Sequence, residues 1–392
     1  MLPLDGLLVV SLEHAIAAPL ATRHLADLGA RVIKIERPEG GDFARAYDQR
    51  ARGVASHFAW CNRSKESLTL DVKHPQAHAA LMKLVAKADV LVQNLAPGAA
   101  ARLGLSYESL SALYPRIIVC DISGYGDSGP YVEKKAYDLL IQAESGFLSI
   151  TGTADAPAKA GNSIADISAG MYAYSGILAA LLERGLTGRG RRVDIALLES
   201  MTEWMGYPLY FGLDGAAPPP RSGAAHATIY PYGPFKAGDG GSVLLGVQND
   251  REWKLFARVV LQRPELADDE RFDGNASRVA HRELIDQIAT GSFANITITE
   301  LVRRLDEAGI ANGRINDVHK VWNHPQLAAR GRWDRVPIPG GEIPVLIPPG
   351  RRDADDVRLG PVPALGEHTR AILQELAYSD ADIADLSAAN AI

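Results

Sequence analysis

Short β-branched runs alternate with amphipathic stretches over the first two hundred residues of the chain. The β-branched runs predict strands at residues 7–12, 31–35, 68–72, 89–92, 116–121 and 193–197. The helical spacing of apolar residues predicts helices at 19–28, 74–86, 107–113 and 167–184. This alternation is typical of parallel βαβ units with helices on both sheet faces. We therefore expect an α/β fold whose ligands bind beyond the carboxyl ends of the strands.

A Pro- and Gly-rich stretch at 212–223 interrupts this alternation and predicts a linker at 211–224. The pattern after it is mixed, with a strand at 242–247 and helices at 250–261, 282–292 and 299–308. Strand-like residues return after Val336 and precede a final helix at 367–376. The chain therefore contains a second, smaller α/β region, followed by a return of strand-forming sequence.

Length, charge and composition limit the classes of protein to which this chain can belong. A chain of 392 residues exceeds the size at which single cores stop growing, ~250 residues, so two domains are expected. The net charge of −6 gives no general attraction to nucleic acid or to an anionic membrane surface. The first residues lack the pattern of a signal peptide and no window reaches ~18 apolar residues, which predicts a cytoplasmic protein without a membrane partner. Cys61 and Cys120 cannot form a disulfide framework.

Basic residues stand near the ends of several predicted elements. Arg37 follows the second strand and precedes Gly40 and Gly41. A guanidinium at this place could donate hydrogen bonds to two phosphate oxygens. Further basic residues follow other elements, namely Lys73, Arg102 and Lys135. Each alone is compatible with an ordinary surface position. Together they suit a ligand with several phosphates along an extended path, which describes coenzyme A (CoA) better than a small metabolite.

The junction after the first strand lacks the GxGxxG dinucleotide fingerprint but is rich in small residues. Ala15, Ala17 and Ala18 would let a ligand approach the backbone at a helix N-terminus, where free amides and the helix dipole favour anions. Small residues that pack a helix on a strand give the same pattern. Spacing alone leaves both interpretations open.

Asp166 lies at the start of a long apolar helix. It fits an N-cap or first-turn position, and Ser163 with Asp166 resembles a capping box. The same placement suits a nucleophile, because the dipole and free amides would keep the carboxylate ionised and Gly161 and Gly170 would leave space for substrate. Spacing does not choose between a cap and a nucleophile.

Signatures of other chemistries are missing from the sequence. Neither HExxH nor a Cys-His set with zinc spacing occurs, so we predict no metal. GxSxG, Walker A and kinase motifs are also missing, which removes the usual support for serine hydrolysis and phosphoryl transfer.

Taken in order, these motifs resemble the family III CoA-transferases, the group that includes formyl-CoA transferase and carnitine CoA-transferase. The resemblance extends from Leu4 to Thr369 and includes the segments 28–37, 62–65, 94–98, 102–104, 136–138 and the helix led by Asp166. It implies a Rossmann-like large domain, 1–210, completed by 330–392, and a small domain, 225–329. It also implies two chains interlocked as a homodimer.

The resemblance further implies which residues act. Asp166 would be the catalytic nucleophile, forming an aspartyl-CoA thioester, with CoA as co-substrate. The residues implied to bind CoA are His14, Ala15, Ile16, Ala17, Arg37, Leu70, Lys73, Asn94, Leu95, Arg102, Lys135, Ala136, Tyr137 and Asp138. Ile16 replaces the Gln of the formyl-CoA member, which puts that one polar contact in doubt.

The sequence is most similar to family members that use C4 and C5 dicarboxylates. This implies succinyl-CoA as donor and itaconate, citramalate or mesaconate as acceptor. A free carboxylate on the acyl group needs a partner, and Arg221, His226 and Tyr230 at the start of the small domain are candidates. A hydrogen-bonded hinge would account for the same residues.

Two other functions are compatible with the fold. An α-methylacyl-CoA racemase would pair the aspartate with a histidine, but Tyr137 occupies that position and an unperturbed tyrosine is a poor base near neutral pH. A non-catalytic CoA-binding scaffold would have lost the nucleophile, whereas Asp166 is present. CoA transfer is therefore the favoured prediction.

Overall fold

The computed structural model describes residues 1–392, and they divide into two units. The large unit comprises Met1–Gly146, Ala160–Met205 and Pro325–Ile392, and the small unit comprises Phe147–Lys159 and Gly206–His324. The chain therefore leaves the large unit twice. The sequence did not predict that Phe147–Lys159 belongs to the small unit. The predicted linker, 211–224, lies inside the small unit.

Eleven strands and eighteen α-helices make up the two units. The strands are β1 (Leu8–Leu12), β2 (Arg31–Glu36), β3 (Lys65–Thr69), β4 (Val90–Gln93), β5 (Ile118–Ser123), β6 (Arg192–Ala196), β7 (Tyr232–Lys236), β8 (Ser242–Gly246), β9 (Ala311–Arg314), β10 (Trp333–Ile338) and β11 (Gly341–Leu346). The helices are α1 (Ala17–Asp27), α2 (Ser56–Cys61), α3 (Pro75–Val85), α4 (Ala99–Arg102), α5 (Tyr107–Leu113), α6 (Asp138–Glu144), α7 (Phe147–Ile150), α8 (Ile164–Thr187), α9 (Leu197–Glu203), α10 (Gly206–Phe211), α11 (Asp250–Leu255), α12 (Gly274–Ala280), α13 (Arg282–Phe293), α14 (Ile298–Glu307), α15 (Val318–Trp322), α16 (Pro325–Ala329), α17 (Thr369–Glu375) and α18 (Asp380–Ala388).

The large unit is built on a six-stranded sheet in the order β3-β2-β1-β4-β5-β6. Every neighbouring pair is parallel, which confirms the predicted α/β fold. The order of strands reverses between β1 and β4. Such a topological switch point opens a crevice at the carboxyl ends of the two strands, where ligands of this sheet type bind.

β3 lies three residues earlier than the sequence predicted. The apolar run at 68–72 suggested the strand, whereas the structure pairs Lys65–Thr69 with β2. Lys65 lies outside the predicted strand, but its ammonium group is buried and ion-paired with Glu13 at 2.7 Å. Glu13, which is 52 residues away, thus allows the charged Lys65 to lie in the sheet. The apolar pattern of the sequence alone does not reveal this pairing.

α8 crosses from β5 to β6 and packs against α1. The contact is close, because a Cβ on Gly170 would lie 2.7 Å from the carbonyl oxygen of Ala17. α8 is also long and apolar enough, by length and composition only, to cross a membrane, although no apolar window of that length was expected. A core helix of a soluble protein passes the same test, and Ala169, Ala173 and Ile177 of α8 are buried.

The last part of the chain covers the outer edge of β3. The amide of Ser64 donates to the carbonyl of Pro361, the amide of His368 donates to Ser67, and the amide of Thr69 donates to the Thr369 hydroxyl. β10 and β11 form an antiparallel hairpin in this same part. The C-terminal residues therefore supply hydrogen bonds to an edge strand that would otherwise be open.

The small unit has its own core around an antiparallel sheet of order β7-β8-β9. Trp253, Phe256, Phe272 and Phe293 fill this core beneath the sheet. The predicted strand at 242–247 and the predicted helices at 282–292 and 299–308 correspond to β8, α13 and α14.

Candidate active site

The carboxyl edge of the parallel sheet gathers most of the residues that the sequence singled out. His14 follows β1, Arg37 follows β2, Lys73 follows β3 and Asn94 follows β4. Because parallel strands end at the same edge, residues far apart in sequence lie along one side of the sheet. β1 and β4 flank the switch point, so His14 and Asn94 lie at its crevice.

Asn94 fixes the backbone at the switch point. Its side-chain carbonyl accepts a hydrogen bond from the His14 amide at 2.9 Å, and its amide group donates to the His14 carbonyl at 2.9 Å. The next residue, Ala15, has a φ of 60° and donates its amide to Asp42 at 2.9 Å. Side chains from two other parts of the sheet therefore define the path of the chain between β1 and α1.

Arg37 is placed beside aromatic residues at this edge. Its guanidinium donates to the Gly41 carbonyl at 3.0 Å and lies 4.8 Å from the ring centroid of Phe43. The same ring lies 4.9 Å from the His14 ring, and Phe43 itself is exposed. Burial lowers the pKa of the His14 imidazole, so this ring is neutral near pH 7. A cation and an open aromatic face thus adjoin the switch point.

The remaining predicted phosphate contacts are exposed cations. Lys73 and Lys135 are exposed, and so is Arg102, which reaches back to the Pro97 carbonyl at 3.5 Å. By contrast, Lys134 is paired with Glu144 at 2.5 Å and lies over the ring of Tyr131. The structure therefore leaves Lys135, not its neighbour, available for a ligand.

Asp166 occupies the first turn of α8. A helix that connects parallel strands runs antiparallel to them, so its N-terminus lies at the carboxyl edge of the sheet. The predicted capping box is wrong, because the Ser163 side chain caps no amide. Asp138, 28 residues upstream, caps the helix instead, accepting from the amides of Ala165 at 2.8 Å and Asp166 at 3.2 Å.

Asp138 is held in this position by a further side chain. Gln142 donates to the second carboxylate oxygen of Asp138 at 2.7 Å and accepts a hydrogen bond from the Ala160 amide at 2.9 Å. The carboxylate of Asp166 itself accepts no hydrogen bond within the chain and forms no ion pair. The free amides that were expected to stabilise Asp166 are therefore used by Asp138.

The expectation that Asp166 is kept ionised by the helix terminus is accordingly wrong. Burial, together with the negative charge of Asp138, raises the pKa of Asp166 to about 7. Desolvation and a like charge both oppose ionisation, and no donor offsets them. Near neutral pH the group is divided between a carboxylic acid and a poorly solvated carboxylate, which is a state expected of a reactive group rather than of a helix cap.

Two exposed tyrosines belong to the surroundings of Asp166. Tyr137 precedes α6, is exposed, and is the residue that replaces the racemase histidine. Tyr47 was missed by the sequence analysis. Burial and the charges of Asp42 and Asp166 raise its pKa, and its ring lies edge-on to His57 at 5.6 Å. No local pattern marks Tyr47, because its relation to Asp166 exists only in the folded chain.

The predicted substrate residues make internal contacts in the small unit. Arg221 donates to the carbonyls of Thr153 and Ala154 at 2.8 and 2.9 Å. The Nδ1 atom of His226 accepts from two amides, and Tyr230 is buried with its hydroxyl hydrogen-bonded to Asp286. These contacts match the hinge alternative, and a role in carboxylate binding stays a prediction.

The predicted lack of a metal also stays a prediction. No group of three or more His, Cys, Asp or Glu side chains in residues 1–392 is arranged to hold a metal ion. Both cysteines are buried, and burial raises the pKa of the Cys61 thiol to about 12. Neither thiol is therefore a competing nucleophile.

A parallel sheet with a topological switch point, and a carboxyl group of raised pKa at its ligand-binding edge, are together typical of the active site of an α/β enzyme. The model of CoA-transferase family III matches residues 4–369, and the chain belongs to this family. It is therefore a CoA-transferase, as its sequence predicted.

Full-length relatives and a solved structure agree with this assignment. The chain is 37% identical to a succinate–glutarate CoA-transferase of Agrobacterium fabrum, over 95% of this chain and 96% of that protein. It is 32% identical to a succinyl-CoA–D-citramalate CoA-transferase of Chloroflexus aurantiacus, over 100% of this chain and 98% of that protein. The crystal structure of a CAIB/BAIF family protein from Brucella suis superposes with a TM-score of 0.83 at 37% identity, covering 96% of this chain and 99% of the other.

Proposed function

We propose that this protein transfers CoA from succinyl-CoA to a C4 or C5 dicarboxylate through a covalent aspartyl-CoA thioester on Asp166. The observation that carries this proposal is the state of Asp166: a half-buried carboxyl group without a partner, with a pKa of about 7, at the carboxyl edge of the sheet. A weakly solvated carboxylate is a better nucleophile than one held by donors, since no hydrogen bond has to break before attack.

The first half of the reaction loads CoA onto the enzyme. A carboxylate oxygen of Asp166 attacks the thioester carbonyl of the donor, the C–S bond breaks, and a mixed anhydride and CoA thiolate result. The thiolate then attacks the aspartyl carbonyl. The bond between that carbon and the bridging oxygen breaks, which leaves the aspartyl-CoA thioester and releases the donor acid.

The second half reverses these steps on the acceptor. The acceptor carboxylate attacks the aspartyl thioester, forming a second anhydride and CoA thiolate, and the thiolate attacks the acceptor carbonyl to release Asp166. No water enters the cycle. Each tetrahedral intermediate carries an oxyanion that needs donors, and the amides near Ala15 to Ala18 are the candidates in the large unit.

Replacement of the nucleophile tests the mechanism. Asp166→Asn removes the attacking oxygen, so transfer should be lost while CoA still binds. Intact mass spectrometry after incubation with succinyl-CoA should show a CoA adduct on the wild type and none on the variant. Asp380→Asn, which changes another first-turn aspartate, is the matched control and should retain the adduct. Turnover by Asp166→Asn would overturn the mechanism.

An isotope experiment tests the order of bond breaking. With an acceptor labelled by oxygen-18 in its carboxylate, the cycle above leaves one labelled oxygen on Asp166 after each turnover. The peptide that contains Asp166 should therefore gain label with labelled acceptor and not with labelled water.

Deuterium exchange at the α-carbon of an acyl-CoA without CoA transfer would instead support the racemase reaction.

The dicarboxylate class is supported by relatives that are named for glutarate and citramalate. We expect glutarate, citramalate, itaconate and mesaconate to be better acceptors than formate or carnitine when succinyl-CoA is the donor. A strict preference for monocarboxylates would contradict this choice. The proposal also retains a cytoplasmic location and an interlocked homodimer as predictions.

A further inference from the structure

Five backbone groups of one short segment are hydrogen-bonded by side chains from other parts of the chain. The segment is residues 13–19, called here the switch loop, which joins β1 to the first turn of α1. Asn94 bonds both the amide and the carbonyl of His14 at 2.9 Å. The other three bonds run from Lys34 to the Glu13 carbonyl at 3.2 Å, from the Ala15 amide to Asp42 at 2.9 Å, and from Lys65 to the Pro19 carbonyl at 2.9 Å.

Four of the side chains beneath the switch loop form a buried charge cluster. Lys34 contacts Asp42 at 2.6 Å and Glu13 at 3.5 Å, and Lys65 contacts Glu13 at 2.7 Å, with all four side chains fully buried. The two acids and two lysines have no net charge when ionised. Because desolvation offsets most of the attraction in a buried ion pair, apolar residues would stabilise the fold as well. Stability alone therefore does not account for a buried charge cluster at this place.

The conformation of Ala15 indicates what that role is. A φ of 60° is unfavourable for a residue with a side chain, and such residues persist only where the surroundings impose them. Here the surroundings are the Asp42 bond to Ala15 itself and the Asn94 bonds to the residue before it. Immediately after Ala15, the amides of Ile16, Ala17 and Ala18 have no acceptor within the chain, as expected at a helix start.

We propose that Asp42 and Lys34 are positioning residues of CoA transfer, which hold the switch loop so that its free amides stabilise the oxyanion formed during the reaction. Glu13 and Lys65 complete the support from below. This inference rests on the proposed function, because it assumes that the acyl group reacts at this edge of the sheet. Neither Asp42 nor Lys34 contacts substrate in this account; both act through the backbone of Ala15 and Glu13.

A pair of double variants isolates the hydrogen bond from the charges. Lys34→Met/Asp42→Asn removes both charges but keeps an oxygen that accepts from Ala15, whereas Lys34→Met/Asp42→Leu removes the acceptor as well. A misplacement of about 1 Å at a reacting group can lower a rate by about 10²-fold. We therefore expect kcat of the Leu variant to be about 10²-fold below that of the Asn variant, with a smaller change in KM for succinyl-CoA.

The control separates positioning from stability. Asp27 and Arg63 form another buried ion pair, at 2.7 Å with side chains 2% and 3% exposed, that makes no bond to the switch loop. Asp27→Asn/Arg63→Met should lower the melting temperature as the cluster variants do, yet keep the wild-type kcat. Equal kcat values for the Leu and Asn variants, or an equal loss in the control, would overturn the proposal.

Hydrogen exchange on the wild-type protein tests the same inference without relying on folded variants. If Asn94 and Asp42 hold the switch loop, the amides of His14 and Ala15 exchange slowly although they lie outside helices and strands. Rapid exchange at His14 and Ala15 would overturn the proposal even if every variant unfolded. Failure of the proposed function would look different: the wild type itself would form no CoA adduct.

Discussion

Asp166 combines two properties that usually exclude each other in an aspartate: it starts a helix, and it is difficult to ionise. The cause is Asp138, which takes the helix amides for itself and adds a negative charge beside the Asp166 carboxyl. The helix terminus thus stabilises Asp138, the neighbour of the proposed nucleophile. This arrangement makes two predictions about pH.

The first concerns the rate. Only the ionised carboxylate attacks, so kcat/KM should rise with pH to a plateau above the pKa of about 7. Asp138→Asn keeps an oxygen for the helix amides but removes the repulsion, which should move the midpoint of the profile to lower pH. The measurement is the midpoint of kcat/KM against pH, not the absolute rate, since Asp138 is also a predicted CoA contact. An unchanged midpoint would show that Asp138 does not tune Asp166.

The second concerns stability. Because the pKa of Asp166 is raised from its usual value of 3.8 to about 7, the folded state binds the proton more tightly than the unfolded state. Ionisation of Asp166 therefore destabilises the fold increasingly from about pH 4 to pH 7, and the full penalty applies above pH 7. Asp166→Asn should raise the free energy of unfolding at pH 8 by on the order of 2 kcal/mol and leave it nearly unchanged below pH 4. Denaturant titrations at both pH values, with Asp380→Asn as control, measure this.

Individual residues also show which features of the candidate site could be predicted from the sequence and which could not. Arg37 and Asp166 were found because one follows a recognisable strand and the other begins a recognisable helix, whereas His14 and Asn94 were implied by the family resemblance. The ionisation state of Asp166 was predicted with the wrong sign, since the residue that decides it lies 28 positions away. A local capping pattern cannot reveal that a distant carboxylate occupies the amides.

Among the elements, α8 and α1 depend on close helix packing. Gly170→Ala would place a methyl group 2.7 Å from the Ala17 carbonyl and 3.3 Å from Leu20, so one helix must shift. We expect a loss of ~1–3 kcal/mol in the free energy of unfolding and a lower kcat, because Ala17 belongs to the switch loop and Asp166 to the same helix as Gly170.

Gly185→Ala, on the same helix, is the matched control. Nothing lies within 4 Å of its added methyl group, so the better helix propensity of alanine should stabilise the protein by ~0.5–1 kcal/mol. Thermal and denaturant unfolding of both variants measures the difference. Similar effects at the two positions would mean that α8 and α1 do not pack as closely as described.

Prediction from the sequence was most successful for the strands and helices. All six strands of the parallel sheet were predicted, with β3 displaced by three residues and β5 by two. β1 and β4 are buried and largely apolar, which produces a clear run of apolar, mostly β-branched residues. β3 begins instead with Lys65, whose burial depends on Glu13. The short helices α6 and α9 were not predicted, because their pattern is too brief to show a period.

For the whole molecule, the central prediction is the oligomeric state. Several large apolar side chains of the large unit are exposed in the single chain, including Leu182 at 75% and Leu186 at 91% on α8. Exposed apolar residues of this size on one helix favour a buried interface. Light scattering should give twice the chain mass of 42.0 kDa, and dilution should yield no folded monomer if two chains interlock. A stable monomer would contradict the predicted dimer.

The division into units was only partly readable in the sequence. The Pro-rich stretch lies a few residues inside the small unit, which begins again at Gly206, and the earlier segment of that unit, Phe147–Lys159, was not marked as a linker by the sequence. It joins the small unit through specific bonds, such as those from Arg221 to Thr153 and Ala154. Bonds between segments distant in sequence leave no compositional trace.

The cover that the C-terminal residues place over β3 has a consequence for how the protein is made. The amides of Ser64, Thr69 and Asp71 find their acceptors in residues 361, 369 and 391, and the two threonines are 300 positions apart. The edge of β3 therefore stays unpaired until these distant residues have been synthesised, and an unpaired strand edge can pair with other chains.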